Sequence, residues 1–363
     1  MRRDLLNNSE SPTSLGPLML DLAGVELTAE DREVLAHPLV CGVILFTRNY
    51  TSREQLNQLV ADIHAIRSPQ LIIAVDHEGG PVQRFRDDFT HLPAMAQLGA
   101  LYDHNQKQAL ELAQEVGWIL AAELRAVGID HSFTPVLDIE KKGSSVLRDR
   151  TFHRDPQVVA ELARRLMAGL QLAGMQATGK HFPGHGGVSG DSHEELPVDA
   201  RSYEDIYATD ILPFERMIHY GLAGIMPAHV VYEQVDRLPA GFSPFWIREV
   251  LRKRLEFSGA IFSDDLSMAG AHVAGDVADR AVAAMDAGCD VMLVCNDRTG
   301  AVQVLDQVKP VDNPALQMRI AHMRGRAYID EDALDNQDRW HRVRESIRLL
   351  QDEFPQEQEL DLL

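Results

Sequence analysis

Short apolar runs rich in β-branched residues recur along the chain, each bounded by glycine or polar positions and each followed by a longer stretch with helical spacing. The strand candidates are Pro17–Gly24, Val40–Thr47, Leu71–His77, Ile129–Asp138, Gln176–Phe182, Leu222–Val230, Gly259–Asp265 and Asp290–Asn296. Helical spacing marks Ser52–Ile66, Gln106–Val127, Pro156–Ala173, Tyr203–Tyr220, Pro244–Phe257 and Val277–Ala287. Strand alternating with helix implies right-handed βαβ units around a parallel sheet covered on both faces. That is why the runs are continuously apolar instead of alternating.

Roughly eight such strands are what a closed barrel needs. An open doubly wound sheet is disfavoured, because Leu20-Asp21-Leu22-Ala23-Gly24 lacks the glycine-rich phosphate turn expected after its first strand. The expected fold class is therefore α/β, a single (β/α)8 TIM-type barrel over residues 15–350. A short polar segment, 1–14, precedes it, and an acidic tail, 351–363, follows it. Nearly every strand candidate ends in chemically capable residues: Arg48 and Asn49, Asp76 and His77, Asp138, Lys180 and His181, His229, Asp264 and Asp265, Asn296. A barrel gathers those ends on one face, where its active sites lie.

Of the 363 residues, 35 are Lys or Arg and 55 are Asp or Glu, a net charge of −20. With no sustained basic run, this balance argues against nucleic acid or an anionic membrane as the main partner. Three cysteines, Cys41, Cys289 and Cys295, form no disulfide framework and point to a reducing compartment. The start, Met1-Arg2-Arg3-Asp4-Leu5-Leu6, lacks the apolar stretch of a secretory signal, and no run is long enough to span a bilayer. A cytoplasmic monomer acting on a small molecule, without cofactor or metal, is the expectation.

The most informative segment is Lys180–His193, KHFPGHGGVSGDSH. His181 and His185 have the spacing of a helical zinc pair, but Pro183, Gly184, Gly186 and Gly187 exclude a helix, so the two imidazoles are not brought to one face that way. A glycine-rich loop over a site is the better reading. In extended backbone Asp191 and His193 point the same way, so the carboxylate can orient the imidazole and raise its proton affinity for acid/base work. A chance surface pair fits that tripeptide equally well. In Ile261–Met268 adjacent carboxylates, Asp264 and Asp265, end a strand. Alternation sends one into the barrel mouth, and the other suits capping of the following turn. Asp76 and Arg84 in DHEGGPVQRF suit bidentate gripping of sugar hydroxyls, or a structural ion pair. Lys180, at a strand end, also fits a Schiff-base lysine.

KHFPGHG with DSH, FSDDLSM, DHEGGPVQRF and the PVLDI strand occur in that combination over about Leu18–Asn296. Together they resemble the cytoplasmic β-N-acetylhexosaminidases of glycoside hydrolase family 3, which act in peptidoglycan recycling. The resemblance implies a (β/α)8 barrel that removes terminal β-linked N-acetylglucosamine from 1,6-anhydro-N-acetylmuramic acid carrying peptides. It implies Asp264 as nucleophile, His193 as proton donor with Asp191 as its partner, and Asp76, Arg84, Arg150, Lys180 and His181 as sugar-binding residues. Near Arg150 the pattern departs, since Arg148 stands where the family has glycine.

Overall fold

The computed structural model describes residues 14–140, 147–188, 196–309, 313–326 and 330–355. Among them, eight parallel strands form the barrel: β1 Leu18–Asp21, β2 Val40–Leu45, β3 Ile72–Val75, β4 His131–Ser132, β5 Thr178–Phe182, β6 Gly224–Pro227, β7 Ala260–Asp265 and β8 Val291–Val294. They are hydrogen-bonded in the order β4-β3-β2-β1-β8-β7-β6-β5. A parallel bridge between Val136 and Lys180 closes the ring, joined by Thr178 N–H donating to Thr134 O at 2.9 Å and Leu137 N–H to Lys180 O at 2.6 Å. The chain is thus a (β/α)8 barrel. β1, β2, β3 and β8 are buried at every position, as expected of strands enclosed by side chains within and helices without.

The helices start where side-chain oxygens can take their free N–H groups. Ser52 caps Arg53–His64, accepting from Gln55 N–H at 3.1 Å, and Asp155 caps Pro156–Leu172, accepting from Gln157 N–H at 2.8 Å. Among the described residues no helix is long and apolar enough to cross a membrane.

Several elements differ from the periodicity. The fourth strand pairs only over His131–Ser132 and then at Val136, because Pro135 has no N–H to give the ladder. The expected helix Tyr203–Tyr220 is two, Tyr203–Ala208 and Ile211–His219. Between them Asp210 is drawn inward by Arg201, Nη1 to Oδ2 2.6 Å, and Thr209 Oγ donates to Asp205 O at 2.8 Å. Phe245–Arg254 is a π-type helix. Helices Ala29–Leu35, Met95–His104, Arg298–Gln307 and Pro314–Met323 lie outside the expected set. So does Asp338–Glu353, which runs through the boundary expected at residue 350.

Candidate active site

A cavity of about 520 Å³ opens at the carboxyl ends of the strands. Its polar lining comes from Arg48 after β2, Asp76, Glu78 and Arg84 after β3, Arg150 after β4, Lys180 and His181 of β5, His185 after β5, and Asp264 and Asp265 of β7. Phe46, Val82, Met226, Met268 and Leu293 supply apolar wall.

One wall is a chain of alternating charge. β3 ends at Val75, and the hairpin His77–Gly79 with Val82–Gln83 follows, its turn carried by Gly79 and Gly80 at φ of 109° and 54°, where only glycine is unstrained. Asp76 and Glu78 are two residues apart, and both reach Lys180 Nζ, at 2.8 Å and 2.6 Å. Arg150 grips Glu78 bidentately, Nε to Oε2 2.9 Å and Nη2 to Oε1 2.8 Å. Arg84 lies 3.8 Å from Asp76 at the other end, its guanidinium over the Phe46 ring. The sequence Arg84, Asp76, Lys180, Glu78, Arg150 thus runs positive, negative, positive, negative, positive across three strand ends. Burial alone would push Glu78 toward the neutral form. Arg150 and Lys180 outweigh it and hold the carboxyl well below its usual range. Burial likewise disfavours the Lys180 ammonium, but Asp76 and Glu78 reverse that and raise its proton affinity. Lys180 therefore stays a cation, able to donate and unable to attack.

Behind that wall, Asp138 fixes the glycine-rich turn. It is fully buried and accepts from His181 Nδ1 at 2.7 Å and from His185 N–H at 2.7 Å. Desolvation opposes its charge, yet His181 and His185 hold it ionised. A carboxylate only accepts, so Nδ1 of His181 carries the proton and Nε2 is left for other contacts. Burial keeps His185 toward its neutral form.

The facing wall is the end of β7. Asp264 Oδ1 accepts the N–H of Asp265 at 2.9 Å. The Asp265 carboxylate turns to its own backbone, accepting from Ser267 N–H at 2.9 Å, Ser267 Oγ at 2.6 Å and Cys295 N–H at 3.0 Å. It caps the turn that follows β7. Desolvation pushes it up to about 6, because those three donors carry no charge. His229, wholly buried after β6 and kept toward its neutral form by burial, donates through Nε2 to Asp265 O at 3.1 Å and so steadies this backbone.

Asp76, Arg84, Arg150, Lys180, His181 and Asp264 all line the one cavity. Asp191 and His193 lie outside the described residues. Glu78 was not among the expected site residues, though its place two positions after Asp76 in extended backbone was the signal for it. Asp138 was visible as a strand end but not as the residue that orients His181. Among the described residues, no group of three His, Cys, Asp or Glu is arranged to hold a metal ion.

The model of the glycosyl hydrolase family 3 N-terminal domain matches residues 18–324. A β-hexosaminidase of Thioalkalivibrio sulfidiphilus is 58% identical over 339 residues, 93% of this chain and 97% of that protein. One from Nitrosospira multiformis is 59% identical over 318 residues, 87% of this chain and 91% of its own. The crystal structure of NagZ from Neisseria gonorrhoeae in complex with N-trifluoroacetyl-D-glucosamine superposes with a TM-score of 0.88 at 45% identity, covering 93% of this chain and 98% of its own.

Proposed function

The chain belongs to glycosyl hydrolase family 3 and is a glycosidase, and from that premise we propose an exo-acting, retaining β-N-acetylglucosaminidase. Its substrate is terminal β-1,4-linked N-acetylglucosamine on 1,6-anhydro-N-acetylmuramic acid and its peptides. The observation that carries this reading is the pairing of walls in one cavity: a hydroxyl-gripping chain of alternating charge faces Asp264 across a space sized for a small ligand. The β-hexosaminidase relatives and the glucosamine-derivative complex support the choice of sugar.

Reaction proceeds by double displacement. An Asp264 carboxylate oxygen attacks the anomeric carbon as its bond to the leaving oxygen breaks, and protonated His193, oriented by Asp191, gives its proton to that oxygen. Neutral His193 then takes a proton from water, whose oxygen attacks the same carbon and releases both the sugar and the Asp264 carboxylate. Two inversions retain the configuration. Asp76, Arg84, Arg150, Lys180 and His181 hold the sugar, and Glu78 presents Arg150 and Lys180 to it as a preformed pair.

Two rivals fare worse. A Schiff-base lyase needs a neutral amine, whereas Lys180 sits between two carboxylates. Substrate-assisted hydrolysis needs Asp265 to orient the acetamido group, but its carboxylate is occupied by Ser267 and Cys295. We place the enzyme in the cytoplasm as a monomer, a setting supported by its three buried free cysteines. The test is aryl release from 4-nitrophenyl N-acetyl-β-glucosaminide beside the matching β-glucoside. Turnover confined to the N-acetyl compound is expected, and equal turnover of both would remove the assigned sugar.

A further inference from the structure

The loop that carries Arg84 is closed on itself by one buried side chain. Gln83 Nε2 donates to Phe85 O and to Thr90 O, both at 2.9 Å, and its Oε1 accepts from Leu92 N–H at 2.9 Å. Arg86 ties the loop back to the hairpin, Nη2 to Gly80 O at 2.9 Å, and Tyr50 Oη donates to Asp87 O at 2.5 Å. These bonds tie the two ends of residues 83–92 to each other, so a restraint on Thr90 bears on the end that carries Arg84.

What holds that end is a carboxylate shared with a distant helix. Glu123, on helix Gln106–Ala126 and 1% exposed, accepts from Thr90 N–H at 2.9 Å, from Thr90 Oγ at 2.6 Å and from Trp340 Nε1 at 2.8 Å. Trp340 belongs to Asp338–Glu353, which buries Trp340, Val343, Ile347 and Leu350 along one face. Arg339 clamps the same helix to the barrel, bidentate to Glu115 at 2.8 and 2.9 Å and 4.0 Å over the Trp118 ring. A second tie follows three turns on, where Gln351 Nε2 donates to His91 O at 3.1 Å. Around these ties lies a cleft of about 1260 Å³ lined by both the loop and the helix. The loop is thus held at discrete points and is not packed continuously against the helix.

We propose that helix Asp338–Glu353, beyond the segment the family model matches, is part of the sugar site: through Trp340, Glu123 and Gln351 it braces the loop 83–92 and sets Arg84. Trp340 and Glu123 are positioning residues, remote from the reacting atoms. Their effect on the sugar rests on the reading of Arg84 as a sugar-binding residue, whereas the bracing does not.

The test uses the full chain with Trp340→Phe, which keeps the apolar body and loses the donor, and Glu123→Gln as a second variant. In hydrogen exchange, protection of the 84–91 amides is expected to fall about tenfold in both variants, with β5 unchanged. Loss confined to 338–353, or spread evenly over the barrel, overturns the brace whatever the substrate. With 4-nitrophenyl N-acetyl-β-glucosaminide, KM is expected to rise about fivefold while kcat stays within about twofold. In an Arg84→Lys background, Trp340→Phe is expected to raise KM no further, and a fully additive rise would show that the helix acts on something other than Arg84. If loop protection falls and KM does not move, Arg84→Lys alone decides: an unchanged KM there ends the sugar reading of Arg84 and leaves the brace, whereas a raised KM there overturns the setting of Arg84 by the helix.

Discussion

The ends of β3 and β7 each deliver two carboxylates to the same cavity, and their surroundings drive them in opposite directions. After β3, Asp76 and Glu78 lie two residues apart, face the same way and share the Lys180 ammonium. At β7, Asp264 and Asp265 are adjacent, and Asp265 turns back on neutral donors. Glu78 is 1% exposed and yet held ionised by Arg150 and Lys180, while desolvation raises Asp265 to about 6. Burial costs both of them hydration. Only the presence of full positive charge decides which way the proton equilibrium moves. The β3 end therefore presents carboxylates paired with the Lys180 and Arg150 cations. The β7 end places Asp264 in the cavity lining beside a carboxylate locked into the backbone.

The largest effect is expected at β7. Asp264→Asn is expected to lower kcat at least about 10³-fold while Tm stays close to wild type, since the proposed nucleophile would have no substitute. Comparable loss in Asp265→Asn would erase the division of labour between the two. At β3, Glu78→Ala removes the bidentate partner of the buried Arg150 and leaves Lys180 with Asp76 alone, with an expected loss of about 3 kcal/mol in denaturant unfolding. Glu78→Gln, with shape preserved, is expected to lower kcat/KM about a hundredfold, mainly by misplacing the two donors. A variant with unchanged kcat/KM would make the pair purely structural.

The two carboxylates also make stability depend on pH in opposite directions. The folded-state pKa of Glu78 lies below its unfolded value, so its contribution is present above about pH 4 and lost as pH falls. For Asp265 the folded value is the higher one. Its contribution is fully present below about pH 4 and lost as pH rises through about 6. Asp265→Asn, which still accepts from Ser267 N–H and Cys295 N–H through one oxygen, is expected to gain stability over wild type between pH 4 and pH 7. Its turnover is expected to stay within about threefold of wild type. A pH-independent difference in chemical denaturation would contradict the raised pKa.

The barrel was legible because strands enclosed on both faces must be apolar throughout, and glycine, proline and acidic residues punctuate their ends. Helix Met95–His104 was not, because its first position follows Ala94, which has no capping oxygen; Gln97 reaches back to the Ala94 N–H instead. Helix Asp338–Glu353 likewise starts without a side-chain cap, at Gln337. The break at Thr209–Asp210 depends on Arg201, whose pull on Asp210 no local pattern announces. At the site, residues at strand ends could be read from motif and position. Glu78 and Asp138 could not be assigned, because their roles depend on Arg150, Lys180 and His181 arriving from other strands. The link from Trp340 through Glu123 to Thr90 spans 250 residues of chain and left no trace in local spacing.

In the proposed mechanism Asp264 forms the covalent bond to the sugar. Incubation with a 5-fluoro analogue of N-acetylglucosaminyl fluoride, followed by mass spectrometry of proteolytic fragments, tests it directly. One glycosyl adduct is expected on the peptide containing Asp264, absent from Asp264→Asn. An adduct on another residue, or release of fluoride from that variant at the wild-type rate, would contradict it.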